Sequence, residues 1–150
     1  MEHIKWRWRH FDTMSAAAWH EVLALRSQVF VVEQECAYQD PDPKDPLCWH
    51  LTGHLGDALV AVMRVVPPGV SYDECSIGRV VVPSSLRGQK RGVQLMAVGI
   101  DFCESRWNNG IRISGQAYLK GFYEALGFKT VHGPYMEDDI PHFEMLKPGP

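Results

Sequence analysis

The segment from Gly78 to Met96 constrains the fold more strongly than any other part of the chain. Its sequence, GRVVVPSSLRGQKRGVQLM, places a β-branched strand pattern before a turn, a basic loop with glycine, and a helical pattern. The first amides of a helix have no partner within the helix and carry partial positive charge. With Arg87, Lys90 and Arg91 beside them, these amides are suited to bind a pyrophosphate.

The same segment has a second interpretation. A solvated helix start that carries basic residues for solubility explains the pattern equally well when the segment is taken alone. The loop has neither the G-x-x-x-x-G-K-S/T nor the G-x-G-x-x-G spacing. It therefore does not indicate a P-loop or a Rossmann dinucleotide site.

Alternating and β-branched runs in the rest of the chain predict short strands, and apolar residues at helical spacing predict helices. Gly-Asp at 56–57 and Pro-Pro-Gly at 67–69 separate three successive runs, which favours an antiparallel meander. The segment 35–47 is rich in Pro and Asp and is predicted to be a loop. The predicted strands are 4–8, 48–53, 58–66, 76–82, 111–114, 128–131 and 142–146, and the predicted helices are 16–31, 90–107 and 118–127.

Two residues on the predicted helices need a special environment. Arg26 has the same angular phase as Leu23 and Phe30, inside the apolar stripe of its helix. Because an unpaired buried charge is very costly, its guanidinium must be paired or must reach a water-filled cleft. Two interpretations of Arg26 are open. Its aliphatic chain packs on the core while its guanidinium reaches solvent, or its guanidinium binds the substrate. Gly99 lies on the apolar face of the second helix, which predicts close approach to a strand.

Composition indicates one ordinary globular domain spanning residues 1–150, with 45% hydrophobic and 22% charged residues. The net charge of −3 provides no field that would attract nucleic acid or a membrane surface. The N-terminus does not resemble a signal peptide and no run is long enough to span a bilayer, so we expect a cytoplasmic protein. Four scattered cysteines show no metal-ligand spacing, and we expect free thiols and no metal.

Two motifs resemble those of the GNAT superfamily of N-acetyltransferases. The family's CoA loop is Q/R-x-x-G-x-G/A, and RGQKRG from Arg87 to Gly92 matches its first and last positions. Lys90 stands where the family usually has its inner glycine, and a left-handed backbone there costs Lys on the order of 1 kcal/mol. The second signature, N-x-x-A-x-x-L-Y-x-x-x-G-F, is similar to QAYLKGFYEALGF from Gln116 to Phe128.

Two further stretches resemble the ElaA-type branch of this family, namely LRSQVFVVEQECAYQDPDPKD at 25–45 and EDDIPHFEM at 137–145. The resemblance implies an α+β fold with three α/β/α layers. Its central sheet is a mixed, mostly antiparallel sheet of six to seven strands, flanked by about four helices. It also implies acetyl-CoA as the acyl donor and transfer to a primary amine by direct attack in a ternary complex.

Site residues follow from the same resemblance. The pantetheine arm is expected along the backbone of Val80 and Val82, with an oxyanion-binding N–H near Val81 or Val82 and Tyr123 as the general acid. The general base is open among Glu33, His50 and His142, and Arg26 and Glu33 are candidates for acceptor binding. The expected cofactor-binding residues are Val80, Val81, Val82, Arg87, Gly88, Gln89, Lys90, Arg91, Gly92, Gln116 and Tyr123.

Other functions remain open from the sequence. A non-catalytic acyl-CoA-binding regulatory module needs the same loop but not the Tyr123 phenol, and a nucleotide-binding interaction domain is a third possibility. The sequence does not identify the amine acceptor, although Asp40, Asp42 and Asp45 in the acidic loop are able to attract a cation. A homodimer is compatible with exposed strand edges and surface tryptophans.

Overall fold

The computed structural model describes residues 3–83, 85, 87–88 and 90–150, and it confirms the expected α+β fold. Within these residues the chain forms seven strands and three α-helices. The strands are β1 Lys5–His10, β2 Trp49–Leu55, β3 Ala58–Val66, β4 Ser76–Val81, β5 Ile111–Gln116, β6 Lys129–Glu137 and β7 Ile140–Lys147. The helices are α1 Ala16–Arg26, α2 Arg91–Arg106 and α3 Lys120–Ala125.

The strands form two antiparallel sheets that touch at one end. The first sheet has the order β1-β2-β3-β4, as the predicted meander requires, and the second has the order β5-β7-β6. A parallel bridge joins Cys75 to Ile111, where the Arg112 amide donates to the Cys75 carbonyl at 3.0 Å. Beyond this bridge β4 and β5 are paired only within their own sheets, so a gap opens between their facing edges.

Alternation along β3 explains the three layers. The side chain of Val62 packs with Val22 of α1, whereas the next residue, Met63, belongs to the main core beneath α2. A Cβ at Gly99 of α2 would collide with the Met63 sulfur. The close approach predicted for this glycine is therefore confirmed, and α1 and α2 cover opposite faces of the sheet.

The first helix differs from the prediction in its second half. It begins after Ser15, whose hydroxyl accepts a hydrogen bond from the Ala18 amide, and it is α-helical only to Arg26. The segment Ser27–Glu33 continues it as a π-helix, which is wider and changes the angular phase. As a result Val29 is buried in this segment, and Phe30 is only partly buried.

The last two strands are longer than predicted and form a tight hairpin. Asp138 and Asp139 form its two-residue turn, and both have positive φ, at 50° and 61°. Gly133 and Pro134 interrupt the pattern expected for a strand, but β6 is an edge strand and its register shifts around them. None of the helices in the described part of the chain combines the length and apolar composition needed to cross a membrane.

Candidate active site

The gap between β4 and β5 is a cleft of about 1250 Å³ that passes between the two sheets. One wall consists of β4 and the start of α2, and the other consists of β5, α3 and the β6–β7 hairpin. The predicted residues Val80, Val81, Val82, Gln116 and Tyr123 all line it, together with the described part of the basic loop. Gly92 and Tyr123 therefore face one cleft.

The backbone of β4 is irregular at the point where it lines the cleft. Val62 pairs with Val81 and Arg64 pairs with Gly78, so that Met63 opposes two residues of β4. Arg79 occupies this bulge with φ of 50°. A bulge bends a strand and redirects its peptide groups, and this one lies in the part of β4 that lines the cleft.

The basic loop bends into α2 through left-handed residues. Gly88 has φ of 84°, and Lys90 precedes the first helical residue, Arg91, with φ of 60° and ψ of 23°. Lys90 thus adopts a left-handed conformation that favours glycine, at the energetic cost expected from the sequence. Gln89 lies outside the described residues.

Arg87 already has two partners in this structure. Its Nε donates to the Val82 carbonyl at 2.8 Å, and its Nη2 lies 2.9 Å from the Glu33 carboxylate. The side chain of Arg87 is 46% exposed, so this ion pair is solvent-screened. An anion in the cleft would compete with Glu33 for the same guanidinium.

Tyr123 fits against the second sheet because Gly115 has no side chain. A Cβ at Gly115 would lie 2.9 Å from the Tyr123 ring, while the neighbouring Phe122 packs against Gly92 of α2. Burial raises the pKa of Tyr123 to about 12, which keeps its phenol protonated at neutral pH. Within the described residues no side chain or backbone group hydrogen-bonds its hydroxyl, so the phenol is available to a ligand.

The opposite face of the second sheet carries a different set of polar groups. Register pairs Gly115 with Phe143 and Gln116 with His142, so His142 and Ser114 point away from Tyr123. The Ser114 hydroxyl donates to the Glu137 carboxylate at 3.3 Å and lies 2.6 Å from the Tyr135 hydroxyl. Glu137 also lies 3.3 Å from His142 Nε2.

The structure does not support the predicted substrate-binding role of Arg26. Its side chain is 1% exposed, and its Nε lies 2.7 Å from Asp40 while its Nη atoms contact Asp45 at 3.0 and 3.1 Å. Arg64 adds bonds of 2.7 Å to Asp42 and 3.0 Å to Asp45. These charges are paired with one another and hold the 35–47 loop on α1, so the loop's carboxylates are not a free attractant for cations.

His50 is also unsuited to the predicted role of general base. It is 1% exposed, and its Nε2 donates to the Asp45 carbonyl at 3.0 Å. Burial lowers the pKa of His50 to about 4. It lies among the rings of Phe11 and Trp19 beneath α1 and does not line the cleft, so its role is structural.

Glu33 and His142 both line the cleft, on the same side as the 35–47 loop. Sequence patterns alone did not identify their neighbours Ser114, Tyr135 and Glu137. The available signal was the Asp-Asp pair at 138–139, because a two-residue hairpin turn there would set Tyr135 opposite His142 and place Glu137 on the same face.

The residues present fit a CoA-type ligand. Helix α2 starts directly after Lys90, Arg87 is exposed beside this helix start, and the bulged edge of β4 lines the same cleft as Tyr123. A cleft of about 1250 Å³ with basic residues at the helix start suits a large ligand that carries charged groups at one end.

Comparisons with known proteins agree with this geometry. The model of the acetyltransferase (GNAT) domain matches residues 53–148. ElaA of Escherichia coli is 38% identical over 96% of both chains, and a UPF0039 protein of Synechocystis is 41% identical over 95% of this chain and 94% of its own.

Solved structures show the same relationship. The crystal structure of an acyl-CoA N-acyltransferase from Pseudomonas aeruginosa superposes with a TM-score of 0.93 and 36% identity, covering 97% of this chain and 99% of the other. Escherichia coli ElaA superposes with a TM-score of 0.90 and 37% identity, with the same coverage. The chain therefore belongs to the GNAT acetyltransferase family and to the branch of that family which contains ElaA.

Proposed function

We propose that this protein transfers an acetyl group from acetyl-CoA to a primary amine by direct attack in a ternary complex. The observation that carries the proposal is the cleft between β4 and β5, which is lined by residues from both faces of the sheet. The helix start and Tyr123 lie on the α2 and α3 side, whereas Glu33 and His142 lie on the α1 side. Donor and acceptor thus have separate entrances to one reaction centre.

Donor binding is assigned to the first wall. The residues at 87–92 hold the pyrophosphate, with Arg87 and the first amides of α2 as its hydrogen-bond donors. The backbone of Val80 and Val82 aligns the pantetheine arm, and Gln116 lines the other side of the same channel. When bound, acetyl-CoA supplies the thioester whose carbonyl carbon the amine attacks.

The chemistry is assigned to a few groups. An amide N–H near Val81 or Val82 stabilises the developing oxyanion. Tyr123 gives its phenolic proton to the departing sulfur, and this role suits a phenol that its surroundings keep protonated. The base that takes the proton of the amine is Glu33 or His142, since both line the acceptor side of the cleft.

The test is a screen of primary amines with acetyl-CoA in which release of free CoA thiol and the mass of the product are measured. Acetylation of at least one amine, abolished by removing the protein, is the expected result. Isothermal titration calorimetry on the same sample measures CoA binding. Tight binding without transfer to any amine would favour a non-catalytic acyl-CoA-binding module instead.

A further inference from the structure

The Glu137–His142 pair has an unusual hydrogen-bond pattern for two residues that line a cleft. His142 Nδ1 lies 2.7 Å from the Ile140 carbonyl oxygen. A carbonyl only accepts hydrogen bonds, so Nδ1 must carry a hydrogen. In a neutral imidazole this leaves Nε2 with a lone pair, and Nε2 faces the Glu137 carboxylate at 3.3 Å.

Two acceptors therefore face each other across this distance. A carboxylate oxygen and an unprotonated Nε2 gain nothing from their contact, whereas a proton or an N–H donor between them satisfies both. His142 is only 6% exposed, while the side chain of Glu137 is 51% exposed, so the pair is reached from the Glu137 side. The pair is thus complete only with a proton or a cation.

The surrounding groups fix Glu137 in this orientation. Ser114 uses its single hydroxyl hydrogen on Glu137, so the Tyr135 hydroxyl must be the donor in its 2.6 Å contact with Ser114. Burial raises the pKa of Tyr135, and the nearby charges of Glu137 and Glu144 act in the same direction, which keeps that donor protonated. The Tyr135 ring also stacks on His142 with centroids 6.2 Å apart.

From this geometry we infer that Glu137 and His142 form the acceptor site of the cleft, that its substrate is a cationic alkylamine, and that His142 is the base. Glu137 is a positioning residue that attracts the ammonium and then stabilises the imidazolium. In this structure the other candidate, Glu33, lies 2.9 Å from the Arg87 guanidinium and does not form an acceptor–acceptor contact like that of the Glu137–His142 pair. This inference rests on the acyl transfer proposed above.

The proton balance is complete with groups already named. One ammonium proton moves to His142 Nε2, and the neutral amine attacks the thioester carbon. The carbon–sulfur bond breaks as the carbon–nitrogen bond becomes an amide. Tyr123 donates its phenolic proton to the sulfur, and a proton lost from the attacking nitrogen restores the Tyr123 hydroxyl. The imidazolium of His142 returns its proton to solvent.

The first test compares two amine probes with the full chain at pH 7. Propylamine is an ammonium at this pH, whereas trifluoroethylamine is mostly unprotonated and needs no base before attack. We expect Glu137→Gln to lower kcat/KM for propylamine about 10-fold and His142→Gln about 100-fold. Both variants should change the rate for trifluoroethylamine less than about threefold, because an unprotonated amine does not need the proton transfer to His142.

Glu124→Gln is the matched control, since Glu124 is an exposed carboxylate on α3 that does not line the cleft. It should leave both rates unchanged. Equal losses with the two amines in Glu137→Gln would overturn the inference, because a general structural defect has that effect. An unaltered propylamine rate in His142→Gln would overturn it as well.

A second measurement does not depend on turnover. Side-chain ¹⁵N spectra at pH 8 should show the hydrogen of His142 on Nδ1, and propylamine should shift the Nε2 resonance in the wild type but not in Glu137→Gln. A hydrogen on Nε2 alone would contradict the inferred geometry. If propylamine moves this resonance while no amine is acetylated, the cation site is correct and the proposed transfer is not.

Discussion

Two groups of polar and charged side chains lie on the α1 side of the molecule, and they differ in whether each charged group faces an opposite charge. The loop network consists of Arg26, Asp40, Asp42, Asp45, Arg64 and Arg79, and the cleft cluster consists of Ser114, Tyr135, Glu137 and His142. In the loop network every guanidinium faces a carboxylate. In the cleft cluster a histidine lone pair faces a carboxylate.

This difference in pairing distinguishes residues that stabilise the fold from residues that are available to a ligand. Buried charges that satisfy one another contribute little net stability, but removing one of them leaves the others uncompensated. A side chain at a cleft with unused hydrogen-bonding capacity is available to a ligand. Changing such a side chain lowers the free energy of unfolding only slightly. Substitutions in the loop network should therefore affect folding, and substitutions around the cleft should affect binding or catalysis.

The largest expected effect is that of Asp45→Ala in the loop network. Asp45 accepts bonds from both Arg26 and Arg64, and its removal leaves two buried guanidinium groups short of a partner. We expect the free energy of unfolding to fall by about 3–5 kcal/mol, measured by urea denaturation. His142→Gln should lower it by less than about 1 kcal/mol, and an equal loss in the two variants would remove the distinction.

Lowering the pH should weaken the loop network. Burial alone would raise the pKa of Asp45, but the hydrogen bonds and charge of Arg26 outweigh it, and the pKa lies below its ordinary value. For a carboxyl group with a lowered pKa, the stabilisation is present above about pH 4 and is lost as the pH falls through the folded-state pKa. Asp45→Asn should therefore flatten the dependence of unfolding free energy on pH below pH 4.

The second largest effect is expected for Tyr123→Phe, which removes only a hydroxyl from the cleft. Turnover should fall about 100-fold because the sulfur loses its proton donor. CoA affinity and the midpoint of thermal unfolding should stay nearly the same, since no described residue depends on that hydroxyl. A wild-type rate with a verified acceptor would exclude Tyr123 as the general acid.

Arg87→Ala should have an intermediate effect on CoA binding. This guanidinium is 46% exposed, and its pair with Glu33 contributes little to folding. Calorimetry should show about 10-fold weaker CoA binding because one charged donor to the pyrophosphate is lost. Unchanged affinity would mean that the pyrophosphate does not bind at this loop, and unfolding should be unaffected in either case.

The smallest effect is expected at Lys90, where the strain is in the backbone. Lys90→Gly relieves the cost of the left-handed conformation, about 1 kcal/mol, and Lys90→Ala removes the same charge without that relief. Because Lys90 is already left-handed without a ligand, the glycine variant should be more stable to urea unfolding than the alanine variant by about 1 kcal/mol. Equal free energies of unfolding would show that the loop bends without strain at this position.

Local sequence patterns determined most of the elements and one side of the site. The spacing of β-branched and apolar residues placed the strands and the start of α2, and the family motifs located Tyr123 and the 87–92 loop. These features are encoded within a few residues, since strand alternation, helix periodicity and loop glycines are local properties. The π-helical segment and the full length of β6 were missed because tertiary contacts override such patterns.

Only the tertiary structure decided which charged residues are structural. Arg26 and His50 were plausible site residues in the sequence, yet packing buried both beneath α1 and paired them with the loop. Ser114 had no signal of its own, and Glu137 was marked only by the Asp-Asp turn that follows it, because their roles depend on the hairpin and on the pairing of β5 with β7. Sequence specifies which chemical groups the chain carries, whereas burial and partners fix their function through contacts between distant residues.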